Sequence, residues 1–455
     1  MSTTLEPTSP PSPAPDLAPL ENPAVFEAHL ATQADLPAWL IEQKRTAWAR
    51  YRDLPMPNRL IESWRFGNLR GLADFGQFAP ADTTIDDDTV TALVARSENI
   101  ENVSGRIVLA DDQVIASEVS ELAIEAGVIF LPLADALRQH PDLVKQTFMT
   151  QTPELGSDKF EALHVAMLRN GVFLHIPAGV ELASPFVVHH WTVAAGRAVF
   201  PHTLFVCGEN TSANLIEFQN GAAAESNHLV VANSHVFAAA GSRPKHKIVQ
   251  NWNRETLAFQ LNTSNAERDV ESKGVVINVG GKQVRQEIHG KIFGSGADVN
   301  IYSLSVPTGA QEFDQRTLQT HDAPNSRSNL LFKNALLDNS KTIFSGLIIV
   351  EPDAQQTDAY QTNNNLMLSD TAESNSLPGL EIQANDVKCS HGATTGRIDD
   401  SNIFYFLARG IPRKKAEELM VFGFFEEIVE KFDNTELAVL VRDLVQTKFA
   451  QEQPS

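Results

Sequence analysis

Cysteine is nearly absent from this chain: Cys207 and Cys389 are the only two among 455 residues. A disulfide framework therefore cannot hold the fold together. A four-cysteine zinc or iron–sulfur site built from this chain alone is excluded as well. So few thiols suit a reducing cytosol, and a cytoplasmic protein is expected. Basic charge is also short, with 36 Lys and Arg against 57 Asp and Glu and a formal net charge of −21. Non-specific nucleic-acid binding needs clustered cations to displace counterions, and an anionic membrane surface attracts the same cations. Neither partner is expected, and solubility accounts for the charge. Long apolar runs are missing: none reaches the ~20 residues of a membrane span. The segment Met1–Leu20 has no basic region followed by an apolar core, so it does not read as a signal peptide. Prolines at 7, 10, 11, 13, 15 and 19 make it a disordered, partly polyproline arm.

Nucleotide motifs are missing too. Gly281-Lys282 has Val276 where a phosphate loop needs glycine, and Gln283 where it needs Ser or Thr. Gly294-Ser295-Gly296 lacks the third glycine of a dinucleotide fingerprint. No Gly-x-Ser-x-Gly elbow and no His-Glu-x-x-His occurs. The commonest routes to an enzyme are thereby removed.

What is present is 42% apolar residues in a chain too long for one compact core. Residues 21–53 have helical spacing through Leu36, Trp39, Leu40, Trp48 and Tyr51, and Pro55 and Pro57 end them. Residues 105–150 read as a small α/β unit with strands at 106–109 and 128–131. A helix follows from Leu133 to Phe148, interrupted at Pro141. This N-terminal region is expected to end near residue 160.

Between Gly171 and Thr395 helical period disappears. Short β-rich runs such as Val172–Ile176, Phe186–His190, Gly274–Val279 and Thr342–Val350 recur after about 10 to 17 residues, with Gly, Asn, Asp and Ser between them. A sandwich or a solenoid fits such spacing. Hairpin dipeptides occur only at Asn170-Gly171 and Asn220-Gly221, which favours a parallel β-helix over residues 161–396. The run Asn363-Asn364-Asn365 suits turn positions where stacked amides bond one another.

Residues 397–455 read as three helices. Asp399 or Asp400 caps the first, over Ser401–Arg409, with Gly410 at its C′ position. Pro412 starts the second, and Asn434 or Thr435 caps the third. Phe424 beside Phe425 widens the apolar stripe of the second helix, which suits either a second docking surface or deeper burial.

The densest chemical constellation is Asp386-Val387-Lys388-Cys389-Ser390-His391-Gly392-Ala393-Thr394. On a strand, Cys389 and His391 share a face, and thiolate with imidazole suits zinc or iron. Lys388 is expected to lower the thiol pKa. Two ligands need a partner chain to complete them. The alternative is a buried cysteine and a hydrogen-bonded histidine closing a coil. Cys207, at the end of an apolar run, reads as a core residue. His189 and His190 project to opposite faces, and Trp64 reads as a packed aromatic.

Taken together, Leu331-Phe332-Lys333-Asn334, Gly346, Thr357-Asp358-Ala359-Tyr360-Gln361, Asn363-Asn364-Asn365-Leu366, Leu380-Glu381-Ile382, Cys389-Ser390-His391-Gly392-Ala393-Thr394, Ile403-Phe404-Tyr405-Phe406 and Arg409-Gly410-Ile411 resemble the SufB/SufD family of iron–sulfur assembly scaffolds. The likeness is dense over residues 325–432. It extends more weakly upstream through Gly171–Pro177 and Glu62-Ser63-Trp64-Arg65. SufB-type chains usually carry Glu-His-Glu-Ala-Thr where this one has Ser390-His391-Gly392-Ala393-Thr394, and the pattern resembles the SufD branch.

The resemblance implies a mainly β fold: a right-handed parallel β-helix between an N-terminal helical and α+β region and a C-terminal three-helix region. It implies a non-catalytic scaffold that pairs with SufB through the β-helix and docks the ATPase SufC through the helices from Ser401 to Phe432. Phe404, Tyr405, Arg409, Gly410, Ile411, Phe424 and Phe425 are the expected dock. It places His391, with Cys389 second, at a nascent iron–sulfur cluster shared with SufB. No cofactor is expected to bind this chain stably by itself, and a homodimer of the isolated chain stays open. Two rivals remain: a SufB-like acceptor of persulfide sulfur, and a β-helix enzyme acting on polysaccharides with Glu312, Asp314 and Arg316 on one strand face.

Overall fold

The computed structural model describes residues 19–82, 84–151, 154–223 and 226–451. The first 18 residues of the expected Pro-rich arm lie outside the described residues. Its last two do not behave as an arm: Pro19–Glu21 forms a 3-10 turn and buries Leu20 completely.

The recurring β-rich runs stack into two parallel sheets that share one interior. One sheet contains, in spatial order, Glu373–Ile382, Lys341–Val350, Glu312–His321, Gln283–Ile292, Leu257–Ala266, His228–Ala238, His202–Cys207 and Val172–Ile176. The other contains Lys388–Arg397, Asp358–Met367, Arg327–Leu336, Asp298–Ser305, Glu271–Asn278, Arg243–Asn251, Ser212–Gly221 and Phe186–Thr192. Neighbours pair in parallel and in register, as in Gln283↔Glu312↔Lys341 and Asp298↔Arg327↔Asp358↔Lys388. The chain thus lays one strand in each sheet per coil of roughly 30 residues, a parallel β-helix. The residues filling the gaps have a steric reason. Asp269, Asn325 and Asp338 all turn the chain at positive φ, which short polar side chains tolerate.

Neither Asn-Gly dipeptide makes a hairpin, in keeping with the parallel β-helix. Asn220-Gly221 ends a parallel strand. The tight hairpin instead joins Gly105–Ala110 to Gln113–Val119 through Asp111 and Asp112, both at positive φ. Their carboxylates accept from the backbone of Val193 and Phe200 at 2.8 and 2.7 Å, which fixes the hairpin to the solenoid.

The small α/β unit is therefore not separate. Gly105–Ala110 pairs in parallel with Phe186–Thr192, and Ile129–Pro132 pairs antiparallel with Val172–Ile176. At this end the sheets finish on Ile129–Pro132 and on the hairpin strand Gln113–Val119. The helical stretch 21–53 splits into Pro23–Ala31, capped by Thr32, and Ala38–Asp53, which starts just after Pro37. Residues Asp158–Met167 add a helix with no readable period: eight of its ten side chains, Phe160 to Met167, are buried.

Trp64 is 1% exposed, as expected of a packed aromatic. Its ring lies 3.8 Å from the Arg285 guanidinium. Arg285 binds Glu287 at 2.7 Å, Asp314 at 2.6 Å and the Leu155 carbonyl at 2.7 Å, and Arg316 binds Asp314 at 2.6 Å. Glu312 accepts from the Asn68 backbone at 2.9 Å. The carboxylates that suggested a polysaccharide-cleaving groove are a buried clamp between solenoid and N-terminal region. Removing the central cation leaves buried Glu287 without its ion-pair partner and Asp314 with Arg316 alone. Arg285→Ala is expected to lower stability by about 3–5 kcal/mol, read as a shifted urea midpoint. An unchanged midpoint would contradict the clamp.

The three C-terminal helices are Asp400–Leu407, Arg413–Val429 and Thr435–Gln451. Asp399 caps the first by accepting from Ser401, Gly410 follows it at φ 77°, and Asn434 accepts from Leu437 at 2.7 Å. Val421, Phe425, Ile428, Val441 and Val445 pack with Val249, Ile277 and Leu304 on the outer face of the second sheet. The helices flank the solenoid and leave its last coil bare.

Candidate functional site at the open end of the solenoid

Alternation along the last coils decides where each side chain points. In Asp358–Met367 the buried positions are Ala359, Gln361, Asn363 and Asn365. Their register partners in Lys388–Arg397 are Cys389, His391, Ala393 and Thr395. Cys389 and His391 therefore face the interior column together, as the two-residue spacing requires. No coil covers them. Residues 391–397 are all exposed, and Glu373–Ile382 and Lys388–Arg397 are the outermost strands of their sheets. The result is an open end of two ten-residue edges.

Beneath it lies a buried amide ladder. Asn334 donates to Asn365 at 2.8 Å, Asn365 donates to Asn363 at 2.8 Å, and Ser376 donates to Asn363 at 2.6 Å. The amides stack as expected but inside a strand pair, not at turns. Gly346 leaves the room that the Gln361 amide fills, since a Cβ there would collide with it.

Cys389 packs with Ala359, Ile348 and Val350. Burial pushes its thiol above the ordinary value, and Asp358 nearby adds to the rise against a backbone hydrogen bond from Ala359. Lys388 does not lower it, which corrects the sequence reading. Adjacent strand residues face opposite sides, so the ammonium sits across the sheet from the sulfur. A raised thiol is a weak nucleophile and a weak ligand at neutral pH, which speaks against a persulfide-accepting role. Alkylation of Cys389 by iodoacetamide is expected to be slower than that of an exposed cysteine peptide at pH 7.5 and to keep climbing beyond pH 9. A rate that levels off below pH 8 would contradict this. Cys207 is 1% exposed and burial pushes it to about 12, so it should stay unlabelled until the chain unfolds.

The other expected residues separate cleanly. His190 faces inward, 3.7 Å from Glu217, while His189 stacks on Phe218 on the outer face. Phe404 is 71% and Tyr405 54% exposed, and Arg409 lies over the Tyr405 ring at 3.4 Å. Gly410 is exposed and Ile411 half-buried. Phe424 is half-buried against Lys333, whereas Phe425 is 1% exposed. Phe425 thus holds its helix on the solenoid, and the wide stripe is mostly core. Leu407, exposed at the end of the first helix, was not singled out from sequence. Two anchors were also missed: Lys333 to Glu427 at 2.6 Å, and Lys245 and Lys273 to Asp433 at 3.0 and 2.8 Å. Each joins residues far apart in the chain, so no local pattern announces it. Among the described residues no three or more His, Cys, Asp or Glu converge on a metal position.

Residues 190–424 match the family described as "SUF system FeS cluster assembly, SufBD core domain", and residues 25–188 match "SufBD protein N-terminal region". The chain is 26% identical over 408 residues to the iron–sulfur cluster assembly protein SufD of Bacillus subtilis (strain 168), covering 87% of this chain and 90% of that one. It is 29% identical over 385 residues to SufD of Escherichia coli (strain K12), covering 82% and 85%. A SufBD family protein of Synechocystis is 27% identical over 333 residues, covering 70% and 68%.

Proposed function

The chain belongs to the SufBD family of iron–sulfur cluster assembly proteins, and from that premise we propose that it is a SufD-type scaffold subunit working beside SufB and SufC in the cytoplasm. The observation that carries this reading is the asymmetry of the solenoid. At one end the sheets finish on a short hairpin and a four-residue antiparallel strand, while the other presents two ten-residue edges with an inward-facing histidine and no covering coil among the described residues. Open edges are templates for further strands. A homologous solenoid, SufB, extends both sheets here. Its cysteine and His391 then hold the nascent cluster, which is cargo of the complex.

His391 is suited to this. Its ring has no hydrogen-bond or ion-pair partner among the described residues, and its face is exposed only because the column stops. SufC docks on the exposed surface of Phe404, Tyr405, Arg409 and Gly410. ATP hydrolysis belongs to SufC, since this sequence carries no phosphate loop. Dimerising SufC copies pull on the two helical regions. The anchors through Lys333, Lys245 and Lys273 pass that pull into the solenoid and open the shared end to iron and sulfur.

Co-purification tests the arrangement. A Phe404→Asp/Tyr405→Asp variant is expected to keep SufB and lose most SufC. Full retention of SufC would overturn the proposed dock.

A further inference from the structure

A cleft of ≈ 300 Å³ sits where three parts of the molecule meet. Arg96, at the C-terminal end of the helix Asp87–Arg96, supplies one wall. The turns at Asn251–Arg254 and Val279–Gly280 supply the floor, and Leu444, Thr447 and Lys448 of the last helix close it. Arg96, Arg254 and Lys448 all line it, and no acidic side chain does among the described residues. In a chain of 57 acidic and 36 basic residues, such a lining is not what average composition supplies.

Arg96 and Lys448 are each held in place. Arg96 stacks over Trp191 at 4.3 Å and donates to the Ala222 carbonyl at 3.3 Å. Lys448 is 6% exposed, and its ammonium meets the neutral amide oxygen of Gln311 at 3.0 Å. Among the described residues no carboxylate pairs with it, and a buried cation without a counter-charge is costly. Burial, with Arg254 nearby, pushes Lys448 down to about 7. The cleft also offers the Thr447 hydroxyl and the Asn253 amide. In the wall, the buried indole N–H of Trp252 has no partner among the described residues.

We propose that this cleft binds a small phosphate-bearing anion, with Arg96 and Lys448 neutralising its charge. Guanidinium groups match phosphate oxygens in a fork, and an ammonium adds a point charge. The occupant bridges the N-terminal region, the solenoid and the last helix. It therefore stiffens the helical region that lies beside the exposed Phe404 and Tyr405 surface, independently of the open end and His391.

The test uses the full-length chain and ³¹P NMR line broadening at constant ionic strength. Inorganic phosphate probes the free anion, and AMP probes a phosphate carried on a nucleoside. Saturable broadening with at least one probe is expected, with Arg96→Gln and Lys448→Met each weakening it roughly ten-fold or more. Lys282→Gln, at an exposed lysine outside the cleft, should bind as wild type. Arg96 is exposed, so its variant decides the matter if Lys448→Met does not fold. No saturable broadening with either probe, or wild-type affinity in Arg96→Gln, overturns the proposal.

Discussion

His391→Ala is expected to leave the SufB–SufC complex assembled and to cut its recovered iron–sulfur cluster roughly ten-fold or more. The magnitude follows from ligand chemistry, since losing even a supporting partner of a metal ligand typically costs 10–100-fold. The separation of assembly from cluster yield follows from geometry. The His391 side chain is exposed at the end of its column and makes no hydrogen bond among the described residues, so its removal leaves no buried group stranded. Iron and acid-labile sulfide in the purified complex are the readout. Normal cluster content would remove His391 from the site, and loss of the complex itself would make the residue structural.

The second large effect concerns the edge. Gly392 and Gly396 lie on Lys388–Arg397, and a Cβ at either meets nothing within 4 Å. In the isolated chain Gly392→Lys/Gly396→Lys should fold with unchanged stability, within about 0.5 kcal/mol. If a SufB strand continues the sheet, both ammonium groups land beside it. Natural edges use lysine to prevent such pairing. A lysine on an edge strand opposes pairing, so SufB binding should weaken by about ten-fold or more. Calorimetric titration of SufB with the two chains measures this, and equal affinities would contradict edge-to-edge pairing.

The parts legible in the sequence were those that depend on local periodicity or end chemistry. Asp399, Gly410, Pro412 and Asn434 marked the C-terminal helices because caps and positive-φ positions accept few residue types. The two-residue spacing of Cys389 and His391 fixed their shared face, and the resemblance named the family that the comparisons then matched. What escaped was set by tertiary context. The helix Asp158–Met167 is buried on nearly every side and so has no polar face to read. The Asp111-Asp112 turn lacks the usual glycine because its carboxylates are bound by distant backbone groups. Lys388 seemed a neighbour of Cys389 by number, yet the pleat sets them on opposite sides. Phe425 looked like docking surface until the outer face of the solenoid filled against it.

Hydrogen–deuterium exchange of residues 373–397, measured for the chain alone and with SufB added, tests the open end most directly. The edge amides of Glu373–Ile382 and Lys388–Arg397 should exchange fast in the free chain and become protected in the pair, with His391 inside the protected segment. Protection that falls elsewhere on the chain while these two strands keep exchanging freely would contradict the account.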